Sequence, residues 1–437
     1  MVRRLIRNAL ILSPTATEIT ALHGYLVVER DRIAVVAAGE PPPIDTVDET
    51  INARGLTVIP GLINCHTHAS LSLHRGLSDD ADLFAWAAHN YPIIRSLTER
   101  DFRLGSELAC IEMARAGITT VVECCRYRPV LFAEAATSIG LRSLSGGLAV
   151  GSLMGREVAP NWPTLIGETE LALERFGDHA LCQFFLGCHS PYNCPPKLLE
   201  AVRRTADGLG IGLGIHLAET RREADLVQAE HGLSPTEYLD AHGWLGPRTL
   251  AAHVVWPSAS DIQLLARSGT SVAHCPVSNA KLASGVAPVG ELQAAGIAVG
   301  LGTDSMLSNN RLDLFGEMKT AALLQRVVGA RADALTAADV FRMATLGGAH
   351  AIGRAADLGG LEPGKLADLV FLDLRHPLGL TGERALSDLV WATGPDAVQH
   401  VMVNGEWVVR DGALARVNEV ERRSAIAAES RGENVRA

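Results

Sequence analysis

The chain has 437 residues, 47% of them hydrophobic and 20% charged, enough to bury a large core without disulfides. Its 39 basic side chains fall ten short of its 49 acidic ones, which argues against a nucleic-acid partner, since phosphate backbones need clustered Lys and Arg. No run approaches the ~18 apolar residues of a membrane helix, so no membrane partner is expected.

Residues 1–55 read as short strands and turns, with a first strand near Leu5–Ile11 and a hairpin in GYLVVERDRIAVVAAGE. The apolar stretch after the basic start is too short for a signal sequence. The eight cysteines show no C-x-x-C spacing and mostly sit in apolar runs, so reduced, buried thiols in a cytoplasmic protein are expected. Beyond residue 55, apolar, β-branched runs of strand length recur: TVIPGLINCHTH, GITTVVECC, LRSLSGGLAV, ALCQFFLGCHS, IGLGIHLAE, TLAAHVVW, TSVAHCPVSN and IAVGLGTDS. Helical periodicity separates most of them, as in LTERDFRLGSELACIEMARAG with its C-terminal glycine. Eight near-continuous apolar strands alternating with helices predict an α/β protein with a closed parallel (β/α)8 barrel over residues 56–360. From 361 onward short strands return, with a hairpin turn at Asn404–Gly405. Segments 1–55 and 361–437 are expected to meet as one composite β-sandwich domain, ending in a helix after about Val417.

In such a barrel the chemistry sits at the C-terminal strand ends. The first run ends in His66-Thr67-His68, two imidazoles on one side of a strand. With 15 His in 437 residues, chance alone gives about half such a pair per chain, so the pair counts only with its context. That context is supplied by His216 ending the fifth run, with Glu219 three residues on, by His253 in the sixth, and by Asp304 closing the eighth. His66, His68, His216 and Asp304 form a nitrogen- and oxygen-rich set suited to one Zn2+ per chain, with Fe2+ the alternative. Such an ion lowers the pKa of water from ~15.7 to about 7, worth roughly 12 kcal/mol toward making a nucleophile. Asp304 then doubles as proton acceptor, Glu219 serves as general acid, and His253 orients the attacking oxygen or stabilises developing charge. The bland readings are a solvated loop carboxylate for Glu219 and a packed core histidine for His253. His189, closing the fourth run, is placed to touch substrate, and His274 reads as structural or supporting.

Taken together, these residues resemble the amidohydrolase superfamily, in particular its branch of S-adenosylhomocysteine/methylthioadenosine deaminases, guanine-type deaminases and triazine hydrolases. The similarity is carried by PGLINCHTHASLSLHRGLSDD, HLAET, AHCPVSNAKLASGVAPV and VGLGTDSMLSNNRLDLFGEM, and by GGLEPGKLADLVFLDL, which resembles the strands returning to the family's composite β domain. The resemblance implies His66, His68, His216 and Asp304 as ligands, Glu219 as proton shuttle, His253 beside the attacking oxygen, and Trp86 and His189 near the substrate. It also implies a homodimer or larger homo-oligomer. Where binuclear barrels place a carbamylated lysine, at the end of the fourth strand, this chain has Gly187-Cys188-His189, so one ion is expected. Nucleoside-acting relatives tend to carry a glutamate where this chain has Ile94. Those acting on adenosylhomocysteine use an arginine near the third strand, where SLSGGLAVG has none before Arg156.

The expected activity is therefore a metal-dependent aminohydrolase, which replaces an exocyclic amine on a small N-heterocycle (purine, pterin, pyrimidine or triazine) by hydroxyl and releases ammonia. A triazine chlorohydrolase or N-dealkylating hydrolase, a cyclic amidase and a non-catalytic metal-binding scaffold are the alternatives.

Overall fold

The computed structural model describes residues 2–44, 46–125, 128–153, 156–157, 162–374 and 382–434. Its centre is a parallel sheet of eight strands: β1 (Leu62–His68), β2 (Ile118–Cys125), β3 (Arg142–Ala149), β4 (Cys182–Cys188), β5 (Gly212–Leu217), β6 (Thr249–His253), β7 (Ser271–His274) and β8. The last is split into Val299–Leu301, which pairs with β7, and Asp304–Ser305, which pairs with β1. One broken strand thus touches both ends of the sheet, and the sheet closes on itself. The (β/α)8 barrel expected from the alternation of apolar runs is the architecture observed.

Local sequence sets where each helix begins. Thr98–Asp101, Ser234–Glu237, Ser258–Asp261 and Thr336–Asp339 all form reciprocal capping boxes, so the loops before these helices end at defined points. Inside the barrel, the Phe185 ring on β4 lies over two glycines of the neighbouring strands. A Cβ added at Gly146 or Gly214 would come within 2.4 or 2.7 Å of that ring. This close approach is the reason the runs LRSLSGGLAV and IGLGIHLAE carry glycine at those positions. Among the described residues no helix is long and apolar enough to cross a membrane.

The chain's first and last strands build a second, mixed sheet of nine strands. Arg3–Pro14 lies at its middle, paired antiparallel with Ile19–Glu29 and parallel with Glu49–Asn52 and Thr57–Pro60. Leu369–Leu372 then joins Thr57–Pro60 to the C-terminal hairpin. Asn404 and Gly405 turn that hairpin with φ of 49° and 75°, the two left-handed residues that such a tight turn requires. The C-terminal helix, Glu419–Asn434, is held against Glu99–Arg115 by an Arg422–Glu107 ion pair and buries Ile426.

Arg142, the first residue of β3, ties the barrel to this sheet. Its side chain is 1% exposed and donates to both Asp368 carboxylate oxygens at 3.2 and 3.3 Å, to Asn404 Oδ1 at 2.5 Å and to the Ala180 carbonyl at 3.1 Å. Removing one partner of a buried pair leaves the other charge stranded. Arg142→Met is expected to lower unfolding stability by about 3–5 kcal/mol in chemical denaturation. Adding Asp368→Asn should restore part of the loss rather than double it.

Candidate metal centre

The strand register brings four ligand-type side chains to one point. Asn64 on β1 donates to Thr303 Oγ1 at 2.8 Å and accepts from Thr303 N at 3.1 Å, and Thr67 Oγ1 donates to the Asp304 carbonyl at 3.0 Å. These bonds lace β1 to the broken strand β8 and hold Asp304 with φ of 59°, a left-handed conformation that costs a non-glycine residue about 1–3 kcal/mol. As a result Asp304 Oδ1 lies 3.5 Å from His66 Nε2 and 3.7 Å from His68 Nε2. His216 comes in from β5, with its Nε2 3.1 Å from that of His68. His66, His68 and His216 form one group able to hold an ion, and His66, His253 and Asp304 an overlapping one. All five side chains are buried.

The hydrogen-bond pattern tests whether an ion fits. His68 Nδ1 is 2.6 Å from the Cys124 carbonyl, and His216 Nδ1 is 2.6 Å from the His189 carbonyl. A carbonyl only accepts, so both Nδ1 atoms carry the proton. In the neutral rings the two Nε2 lone pairs then face each other. Burial and the neighbouring imidazoles push His216 well below its ordinary pKa, keeping that ring neutral. Two lone pairs at 3.1 Å repel unless a positive charge lies between them. A carboxylate oxygen and a third imidazole converge on the same point, so the donor set fits a divalent cation.

Around these four lies a layer that orients them. Asp304 Oδ2 accepts from Ser278 Oγ at 2.5 Å and Ser308 Oγ at 3.0 Å, which leaves Oδ1 turned toward the imidazoles. Burial opposes ionisation of Asp304, but its close contact with His66 and the positive charge that His253, His66 and His68 carry when protonated hold it well below the usual carboxylate range. His253 donates from Nδ1 to Asn279 Oδ1 at 2.9 Å and turns Nε2 to within 3.8 Å of Glu219 Oε2. Burial lowers the His253 pKa, and the Glu219 and Asp304 carboxylates more than reverse that, so it ends raised. His274 is buried with neither ring nitrogen hydrogen-bonded among the described residues, and burial drives its pKa down to about 3. It therefore stays a neutral neighbour of the site.

The expected substrate residues line the same cleft. The Trp86 indole donates to the Leu307 carbonyl at 3.2 Å. His189 is held by Asn193 at Nδ1 (2.9 Å) and by the Tyr91 hydroxyl at Nε2 (3.0 Å). Leu83, Trp86, Tyr91, Ile94 and Leu282 supply apolar lining to the cleft, which Glu219 and Asp304 also line. The cavity left between them is about 30 Å³, room for about one water. Arg156 lies on a short backbone ribbon paired with Leu153.

All eight candidate site residues thus gather at one rim. The sequence reading missed Ser278, Asn279, Ser308 and Tyr91. The first two lie in AHCPVSN, but offsets from a strand end do not reveal which hydroxyl or amide turns inward.

A model described as "Amidohydrolase family" matches residues 57–408. A 5-methylthioadenosine/S-adenosylhomocysteine deaminase of Desulforudis audaxviator is 40% identical over 423 residues, 95% of this chain and 96% of that protein. A 5'-deoxyadenosine deaminase of Methanothermobacter thermautotrophicus is 40% identical over 417 residues, 94% and 95% of the two chains. Among solved structures, an adenosine deaminase from Xanthomonas campestris with bound zinc has a TM-score of 0.88 and 32% identity, covering 100% of this chain and 98% of its own. If the four converging side chains hold an ion, His66→Ala should lower the zinc retained after gel filtration well below that of the wild type, as read by elemental analysis. Full occupancy would remove His66 from the set.

Proposed function

The chain belongs to the amidohydrolase family, and from that premise we propose that it is a metal-dependent aminohydrolase acting on the exocyclic amine of an adenine-type ring or a close heterocyclic relative. The observation that carries this reading is the Glu219 carboxylate beside His253, at the rim where His66, His68, His216 and Asp304 converge. In it, the last four side chains hold one divalent ion, zinc by analogy with the solved relative, and iron is the alternative. When bound, the ion supplies a water acidic enough to attack at neutral pH.

The rest is done by the chain's own groups. Asp304, its Oδ2 fixed by two serine hydroxyls, accepts the proton that water gives up. Glu219 delivers a proton to a ring nitrogen, so charge does not build up on the ring as the new C–O bond forms. His253, raised in pKa and fixed by Asn279, donates toward the incoming oxygen. The proton held on Asp304 then passes to the exocyclic nitrogen, the C–N bond breaks and that nitrogen leaves as ammonia, and the hydroxyl proton of the new C–O group returns to Glu219 as the ring carbonyl forms. Trp86 and His189 present an aromatic face and a polar edge to the ring, and the apolar wall of Leu83, Ile94 and Leu282 excludes water from it.

Two further parts of the reading concern the setting. All eight cysteines are free and buried, which suits a reducing compartment and supports a cytoplasmic enzyme. Assembly as a homodimer or larger homo-oligomer follows from the family resemblance.

The test is ammonia release from adenine nucleosides, free aminopurines, pterins and aminotriazines, with product mass measured beside it. Ammonia with the amine exchanged for oxygen supports the reading. Chloride release from chlorotriazines alone, or ring opening with the nitrogen retained, replaces it. Glu219→Gln is expected to keep its zinc and lose about 10²–10⁴-fold in kcat. Unchanged turnover would take Glu219 out of the mechanism.

A further inference from the structure

The sequence Thr220-x-x-Glu223 opens the helix Arg221–His231 with the signature of a capping box. Thr220 does its half, accepting from Glu223 N at 3.1 Å. In an ordinary box the acid returns the bond to the cap residue's own N–H, as it does in the four helices above. Glu223 does not. Its carboxylate reaches past the cap and accepts from Ala218 N at 3.1 Å and from Glu219 N at 2.7 Å, one bond to each oxygen. It is fully buried, and no ion pair is seen for it among the described residues.

The segment it grips is strained. Ala218 sits at φ of 49°, and across from it His253 and Val254 sit at 73° and 47°. The Ala218 carbonyl is taken by Val255 N at 3.0 Å and Trp256 N at 2.9 Å, and Val254 N donates to the Leu217 carbonyl at 2.9 Å. Left-handed alanine, valine and histidine persist only where surrounding bonds over-determine them. Here the bonds come from the neighbouring strand on one side and from one buried carboxylate on the other. A buried carboxylate is costly: burial pushes the pKa of Glu223 up to about 8, and the two peptide N–H bonds act against that by favouring the ionised form.

We propose that Glu223 is a positioning residue for proton delivery, its carboxylate fixing the Glu219 peptide so that the Glu219 side chain meets the ring nitrogen at the right distance. Two other buried carboxylates hold different segments in the same way. Glu123 accepts from Ala69 N and Ser70 N, directly behind His68, and Glu317 accepts from Val277 N and from the Asn309 amide. Three rim segments are thus each tied by one buried acid.

The inference rests on the role given to Glu219 above. Glu223→Gln keeps the size but turns one acceptor oxygen into a donor, so one of the two peptide N–H groups loses its partner. It should cut kcat about 10-fold to 100-fold, the usual price of a small misplacement, with KM and bound zinc unchanged and a larger solvent deuterium isotope effect on kcat. Glu123→Gln should instead lower bound zinc. If Glu223→Gln leaves kcat intact, or loses zinc as Glu123→Gln does, the positioning role is overturned. If Glu223→Gln proves too unstable, adding Ala218→Gly supplies a residue that accepts the positive φ freely, and stability should recover while kcat stays low. Recovery of kcat with it would mean that Glu223 only offsets strain, and would overturn the inference. An active Glu219→Gln would sink the proton-shuttle reading itself, whereas an inactive Glu219→Gln beside a fully active Glu223→Gln sinks only the present one.

Discussion

Two imidazole nitrogens, each with its proton committed elsewhere, point their lone pairs at one another across 3.1 Å. Such an arrangement is repulsive unless a positive charge lies between the nitrogens, and it is enforced by the backbone. The carbonyls of Cys124 and His189 fix the ring tautomers, the closure of the barrel brings β1 beside β8, and the side chains of Asn64 and Thr67 lock the two in register. Much of what surrounds the rim serves to hold this convergence. Donors fixed by neighbouring carbonyls and side chains in this way lose less freedom on binding an ion.

The same economy explains the backbone. Ala218, His253 and Asp304 all have positive φ and all lie where a strand turns outward at the rim. A strand alternates its side chains between two faces, so a residue at its tip can be re-aimed only by breaking that alternation. The left-handed kink does this, at a cost of about 1–3 kcal/mol for each residue. Buried hydrogen bonds to Glu223, Ser278, Ser308 and Asn279 sit where they offset that cost. Such strain stays invisible in sequence, because alanine, histidine and aspartate carry no glycine-like mark of a positive φ.

What the sequence did reveal follows from the same distinction. Strand runs and their polar ends are one-dimensional signals, so the eight-stranded barrel, the flanking β strands and the tips carrying His66, His68, His216, His253 and Asp304 were all legible from period and spacing. Glu219 was legible because it lies three residues from a ligand-type histidine. Contacts that cross between elements were not. Glu223 carries only the local signature of a helix cap, and nothing local in the sequence marks Ser308 or Arg142, although Arg142 joins the barrel to the second sheet. Each acquires its meaning from a partner 4, 4 or 226 residues away whose direction depends on the assembled fold.

Electrostatics completes the division of labour. His216 and His253 stack at the same rim with ring centroids 5.5 Å apart, yet their proton affinities move in opposite directions. His216 is surrounded by imidazoles and carbonyl-bound on its far side, so protonation is penalised and its lone pair stays available. His253 faces Glu219 and Asp304, so protonation is favoured and it is poised to donate. In the proposed reading, two identical side chains are thereby suited to be a ligand and a proton donor by their neighbours alone. The carboxylates that raise His253 are the same ones assigned to move protons, so its charge responds to each transfer. In the proposed reaction, Glu219 becomes an attractor for the His253 proton once it has given up its own, which favours a protonated His253 while charge develops on the oxygen beside it.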